Sequence, residues 1–154
     1  MLIEQSALAP VEPPLSSLGG EARLLAIGIG DAEGTEAGCN IFGSAMRPPS
    51  PVHLRAERVP GGDLRVSWVR RSRAGWSWIS GSDTPLGEEA ESYRLTLSGI
   101  GFERSATVGE AYYLYTAEAQ AADGLTGSLT ISVTQTGTVA SSRATTLVVN
   151  GLGE

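Results

Sequence analysis

The sequence predicts an all-β protein, a β-sandwich over 52–150 preceded by a short β-hairpin extension. Three observations carry this. Apolar and polar residues alternate with a period of two in one segment after another of the second half, turn residues are abundant (20 glycines and 8 prolines), and no stretch sustains the 3.6-residue period of an amphipathic helix. The 154 residues, 41% of them hydrophobic, suffice for one ordinary domain with an extension, or two small ones.

Residues 1–47 read as an N-terminal β extension or small subdomain. It opens on Ala9-Pro10-Val11-Glu12-Pro13-Pro14, whose prolines lack backbone donors and exclude a helix. The near-continuous Leu24, Leu25, Ala26 and Ile27 predict a buried strand over 21–29, and a second strand over 37–42 is expected to pair with it across the 30–34 turn. Two strands bury little apolar surface, so this hairpin is expected to lean on the sandwich or on parts of a longer protein. Pro48-Pro49-Ser50-Pro51 then forms a linker over 48–51, because each proline pushes its predecessor into an extended conformation.

The sandwich is expected over 52–150. Val52, Leu54 and Ala56 alternate with His53, Arg55 and Glu57 in a first strand over 52–58, and Pro60-Gly61-Gly62-Asp63 is turn chemistry. Leu64, Val66 and Trp68 alternate with Arg65, Ser67 and Val69 in a second strand over 63–70, which places Trp68 on the inner face. After a loop over 72–91, Tyr93, Leu95 and Leu97 mark a third strand over 92–98. A weaker strand over 102–107, one over 112–119, one over 128–135 (Leu129, Ile131, Val133) and one over 143–149 complete a set of seven. The span matches a sandwich of about 100 residues.

The succession of proline break, strand, turn and L-x-V-x-W strand resembles a fibronectin type III domain. One departure lies in the 128–135 strand, where Leu129 stands near the place of the corner tyrosine that such sandwiches use. Tyr112, Tyr113 and Tyr115 offer other anchors. The wording of R-P-P-S-P-V-H-L-R-A (47–56), W-V-R-R-S-R-A-G-W-S-W (68–78) and P-L-G-E-E-A-E-S-Y-R-L (85–95) is similar to the C-terminal region of phage-tail host-specificity proteins, in particular the baseplate megatron proteins of gene transfer agents and their siphophage relatives. This resemblance implies a non-catalytic structural and adhesion module at the end of a longer protein. It further implies other tail-tip or baseplate proteins as partners, a bacterial surface glycan or protein receptor, and a place at the virion tail tip after assembly in the bacterial cytoplasm. The glycosidase-like barrel of that family needs about 250 residues and does not fit in this chain.

The candidate ligand contacts are Arg70, Arg71, Arg73, Trp76 and Trp78. Arginines beside tryptophans grip carboxylates, stack on sugar rings or bases, or pair with one another, and sandwich loops are common binding positions. A carbohydrate-binding module using this segment is the alternative function. The competing structural reading packs Trp78 on the sandwich, stacks Trp76 on an arginine and neutralises the rest with Glu88, Glu89 or Glu91. A cell-wall hydrolase fragment is a more remote alternative, because those glutamates are neighbours in one loop and two-carboxylate hydrolysis needs them held apart across a cleft.

The remaining chemistry is sparse. The net charge is −6 and all eleven basic residues are arginine, so the chain as a whole has no field to draw it onto nucleic acid. A single cysteine, Cys39, forms no internal disulfide, and with a single histidine there is no Cys/His cluster for zinc. Asp31 and Glu33 lack the six to eight oxygens of a calcium site. Gly28-Ile29-Gly30-Asp31 continues into a turn instead of the helix a phosphate loop requires. His53, the only candidate base for a hydrolytic triad, falls on the solvent face of its strand. No cofactor, metal, membrane insertion or enzymatic activity is expected.

Overall fold

The computed structural model describes residues 14–30, 32–73 and 85–152. The chain divides into two compact units, Met1–Ala45 and Met46–Glu154.

The first unit holds an antiparallel hairpin, β1 (Glu21–Ala26) and β2 (Thr35–Asn40), in register from Glu21 opposite Asn40 to Ala26 opposite Thr35. The buried strand expected over 21–29 is corrected here: Leu24 and Leu25 are each 58% exposed, and β1 ends at Ala26. Two six-residue strands make one layer, and no second layer within the hairpin closes over their side chains.

The second unit is a two-sheet sandwich. Its strands are β3 (Val52–Arg58), β4 (Leu64–Val69), β5 (Tyr93–Gly99), β6 (Phe102–Val108), β7 (Tyr112–Tyr115), β8 (Gly127–Gln135) and β9 (Thr145–Leu152). A three-stranded sheet in the order β3-β4-β7 faces a four-stranded sheet in the order β6-β5-β8-β9, all pairings antiparallel. This is a fibronectin type III-like β-sandwich. The inward positions set by the period-two pattern form the core: Leu64, Val66 and Trp68 from β4, Tyr93, Leu95 and Leu97 from β5, Tyr115 from β7, and Leu129, Ile131 and Val133 from β8. Trp68 is 4% exposed and meets Tyr93 edge to face, with ring centroids 5.1 Å apart.

The turns follow from residue chemistry. Gly61 and Gly62 take φ of 99° and 91° between β3 and β4, a region that costs other residues steric strain, and the Val59 N–H closes the turn onto the Asp63 carbonyl at 2.9 Å. In the connection after β8, a Cβ at Gly137 would lie 2.6 Å from the Ala140 carbonyl oxygen and 2.7 Å from Pro48 Cδ. Gly137→Ala is therefore expected to destabilise the unit by about 1–3 kcal/mol, read from the urea midpoint.

One predicted strand is shorter than expected. The 112–119 segment stays extended only through Tyr115, and Ala117–Ala122 forms a helix, α1. Thr116 caps it by accepting the Ala119 N–H on its hydroxyl, and A-E-A-Q-A-A has high intrinsic helix propensity. Asp63 from the β3–β4 turn accepts the Ala117 N–H at 2.8 Å, and the Gln120 amide donates to the Gly62 and Tyr115 carbonyls at 3.1 and 2.8 Å. Tertiary partners thus convert the end of an alternating run into a helix. The segment expected as a weak strand over 102–107 is a full strand, β6, paired with β5 along seven positions.

Candidate functional site: the arginine-rich end of the sandwich

Arg70, Arg71 and Arg73 follow directly on β4, so their backbone is set by the strand that carries Trp68. Trp76 and Trp78 lie outside the described residues. Arg73 donates from Nε to Glu88 Oε1 at 2.7 Å and from its guanidinium to the Gly87 carbonyl at 2.6 Å. The second oxygen of Glu88 accepts the Thr138 N–H at 2.8 Å, and the Thr138 hydroxyl accepts the Glu89 N–H at 3.2 Å. Three stretches distant in sequence, at 73, 87–89 and 138, are thereby tied together by one carboxylate whose side chain is only 1% exposed.

Burial of Glu88 pushes its pKa upward, but the Thr138 N–H and the Arg73 guanidinium more than offset this, and the carboxyl lies below its ordinary value of 4.5. Its contribution to stability is thus complete above the ordinary carboxylate range and disappears as pH falls through the depressed folded value. Glu88→Gln is expected to cost about 1 kcal/mol at neutral pH, held down by solvent around Arg73, and to flatten part of the acid limb of the stability profile. Urea midpoints from pH 3 to 7 on both proteins measure this.

A second carboxylate serves the strand beside it. Glu91 accepts the Tyr93 hydroxyl at 2.7 Å and stands 4.0 Å from Arg70 Nε. Burial, then Glu91, raises the Tyr93 phenol well above its ordinary value. Of the three glutamates expected to neutralise the arginines, Glu88 and Glu91 carry out that pairing, while Glu89 takes part through its backbone N–H. Arg71 is exposed.

Sequence reasoning missed a second polar network. Arg104, an inward position of the β6 alternation, makes a two-pronged contact with Asp123 (2.6 and 2.8 Å), and Asp123 also accepts the Tyr115 hydroxyl at 2.8 Å. The signal was present: an arginine at an inward strand position requires an acidic partner. The partner's identity was not, because Asp123 lies just past a helix that the alternation concealed.

Other candidates acquire definite places. His53 is exposed on β3, as its alternation predicts. Gly28 and Gly30 lead into strand β2, with no helix between them and Thr35 among the described residues. Among the described residues no group of three His, Cys, Asp or Glu side chains is placed to hold a metal ion, and no helix is long and apolar enough to cross a membrane.

No family model and no curated protein matches the chain. Among solved structures it is similar to the crystal structure of FN3tt, with 16% identity over 67% of this chain and 94% of that one, at a TM-score of 0.44. It is also similar to the rat CD45 extracellular region, domains d3–d4, with 10% identity over 98% of this chain and 74% of that one, at a TM-score of 0.49. At such values no functional argument passes from those proteins to this one. The strand order and the buried core themselves carry the fold.

Proposed function

We propose that this protein is a non-catalytic structural and adhesion module of a phage tail tip or gene-transfer-agent baseplate that supports attachment to the host envelope. The observation that favours a scaffold role is the use made of the acidic groups. Glu88 and Glu91 are spent on bracing loops and a core tyrosine, so they do not stand apart across a cleft as sugar hydrolysis would need. The ties among residues 73, 87–89 and 138 brace that end of the sandwich, and several copies at a tail tip convert weak contacts into avidity. The resemblance of 47–56, 68–78 and 85–95 to tail host-specificity proteins supplies the setting. Its partners on this reading are other tail-tip proteins and a bacterial surface glycan or protein, and nucleic acid is not among them.

Immunogold labelling with antibodies against the purified protein, applied to particles released by the encoding bacterium, tests the setting. Gold at the tail tip is expected, and particles without tip labelling would refute it. Retention of the protein on host envelopes, compared with a Trp76→Ala, Trp78→Ala double variant, tests adhesion through these two side chains: retention by the wild type and its loss in the variant are expected.

A further inference from the structure

The outer face of the three-stranded sheet carries a feature that the candidate contacts at 70–78 do not explain. Val52 pairs with Val69 and Arg55 with Ser67, so two residues of β3, His53 and Leu54, stand against Trp68 alone. That is a β-bulge, and His53 sits in it with φ of 53°, a left-handed conformation that is uncommon outside glycine. Leu54 keeps its place against the core while the histidine is re-aimed outward. The bulge opens a surface concavity of about 300 Å³ lined by His53, Arg55, Ser67, Trp68 and Val69.

The lining supplies a guanidinium, an imidazole and a hydroxyl, and no carboxylate. None of these three side chains forms a hydrogen bond or ion pair among the described residues, whereas Arg70, Arg73 and Arg104 on the same unit are each engaged by an acidic group. Donors that converge without a protein acceptor match an oxyanion, which accepts several N–H and O–H groups at once. The surroundings extend the site sideways. Arg55, Ser67 and Tyr112 share one cross-strand row, so the backbones of Arg55 and Tyr112 lie two strand spacings, about 10 Å, apart on one face of the sheet. Tyr112 is 45% exposed; its hydroxyl is engaged by Glu110, and the Arg65 guanidinium, on the residue paired across the strands with Glu57, lies 5.4 Å from its ring centroid, so the ring itself is what this position offers a ligand.

We propose that this bulge and the row beside it form a binding site for an acidic polysaccharide, in which His53, Arg55 and Ser67 take the carboxylate or phosphate of one unit while Tyr112 and Arg65 contact a neighbouring unit. The net charge of −6 gives no long-range attraction to a polyanion, so recognition rests on these close contacts. The site uses none of Arg70, Arg71, Arg73, Trp76 and Trp78, and it does not depend on where the protein is mounted.

The single histidine makes the test direct, because its ring protons give one set of resonances. The purified protein is titrated with an oligogalacturonate, a glycerol-phosphate oligomer and a neutral galactose oligomer of equal length. Saturable shifts of the His53 ring resonances are expected with at least one acidic chain and not with the neutral one. A response to the first alone identifies a carboxylate reader, and to the second alone a phosphate reader. Arg55→Ala is expected to weaken the responding arm about tenfold with an unchanged far-UV spectrum. Arg94→Ala, which removes the same charge from the other sheet, is expected to leave it unaltered. No saturable shift with either acidic chain, an equal shift with the neutral one, or equal weakening by both variants would overturn the proposal. Tail-tip labelling has no bearing on these results, so the two readings fail separately.

Discussion

Trp68→Ala is expected to lower the unfolding free energy by about 3–5 kcal/mol, a large part of the roughly 5–15 kcal/mol that holds a typical domain. The indole is 4% exposed, lies in a core shared by both sheets and meets Tyr93 edge to face at 5.1 Å. Alanine removes the whole ring from a space bounded by two hydrogen-bonded sheets, which cannot move together far enough to refill it. The loss therefore includes both the transfer of the ring to water and the cavity left behind. Trp68→Phe keeps an aromatic edge against Tyr93 and is expected to cost substantially less. Urea unfolding followed by far-UV circular dichroism reads both, and a loss below about 1 kcal/mol for the alanine variant would contradict a sandwich sealed at this position.

The second large effect is expected at Tyr115. Its ring is fully buried in the core and its hydroxyl donates to Asp123, which simultaneously receives Arg104. Tyr115→Phe keeps the ring and removes one hydrogen bond to a charged acceptor, at a cost of about 1.5–3 kcal/mol. Tyr115→Ala also empties the ring's volume and is expected to cost about 3–5 kcal/mol. The difference between the two separates packing from polar anchoring. The same site predicts a pH profile. Hydrogen bonding from Arg104 is the leading cause that holds the Asp123 carboxyl below its ordinary value of 3.8, so its stabilisation is complete above that value and disappears as pH falls below it. Burial is the leading cause that raises the Tyr115 phenol above its ordinary value of 10.0, and Tyr93 is raised in the same way. Both tyrosines contribute stability that is complete below pH 10 and lost as pH climbs beyond it. The contribution of Asp123, Tyr115 and Tyr93 should be level between these limits, and Tyr115→Phe should blunt the alkaline fall. An alkaline limb identical in wild type and Tyr115→Phe would exclude this account.

Tyr115 also accounts for a departure visible in the sequence. Leu129 occupies the region where a corner tyrosine was to be expected, and it is a core residue. Tyr115 provides an anchor from β7 instead, reaching Asp123 across the connection that contains α1. The sequence offered three tyrosines as substitutes, and only the placement of Asp123 singles out this one.

The inward residues of the sandwich can be read from the chain alone. Leu64, Val66 and Trp68, then Tyr93, Leu95 and Leu97, then Leu129, Ile131 and Val133, are all legible from a period of two, because successive strand side chains point to opposite faces whatever the strand pairs with. Turn residues with special backbone freedom, such as Gly61 and Gly62, are equally local. Whatever depends on partners far along the chain is fixed only in the folded protein. The Glu88 carboxylate meets a backbone N–H fifty positions away, Arg104 finds Asp123 nineteen positions on, and Asp63 steadies a helix that begins fifty-four residues later. The bulge at His53 belongs to the same class: alternation alone runs smoothly through it, and only the register against β4 shows that two residues must share one partner. Side-chain period is a property of a single strand, whereas register and charge pairing are properties of two, and the sequence writes the second strand's position nowhere near the first.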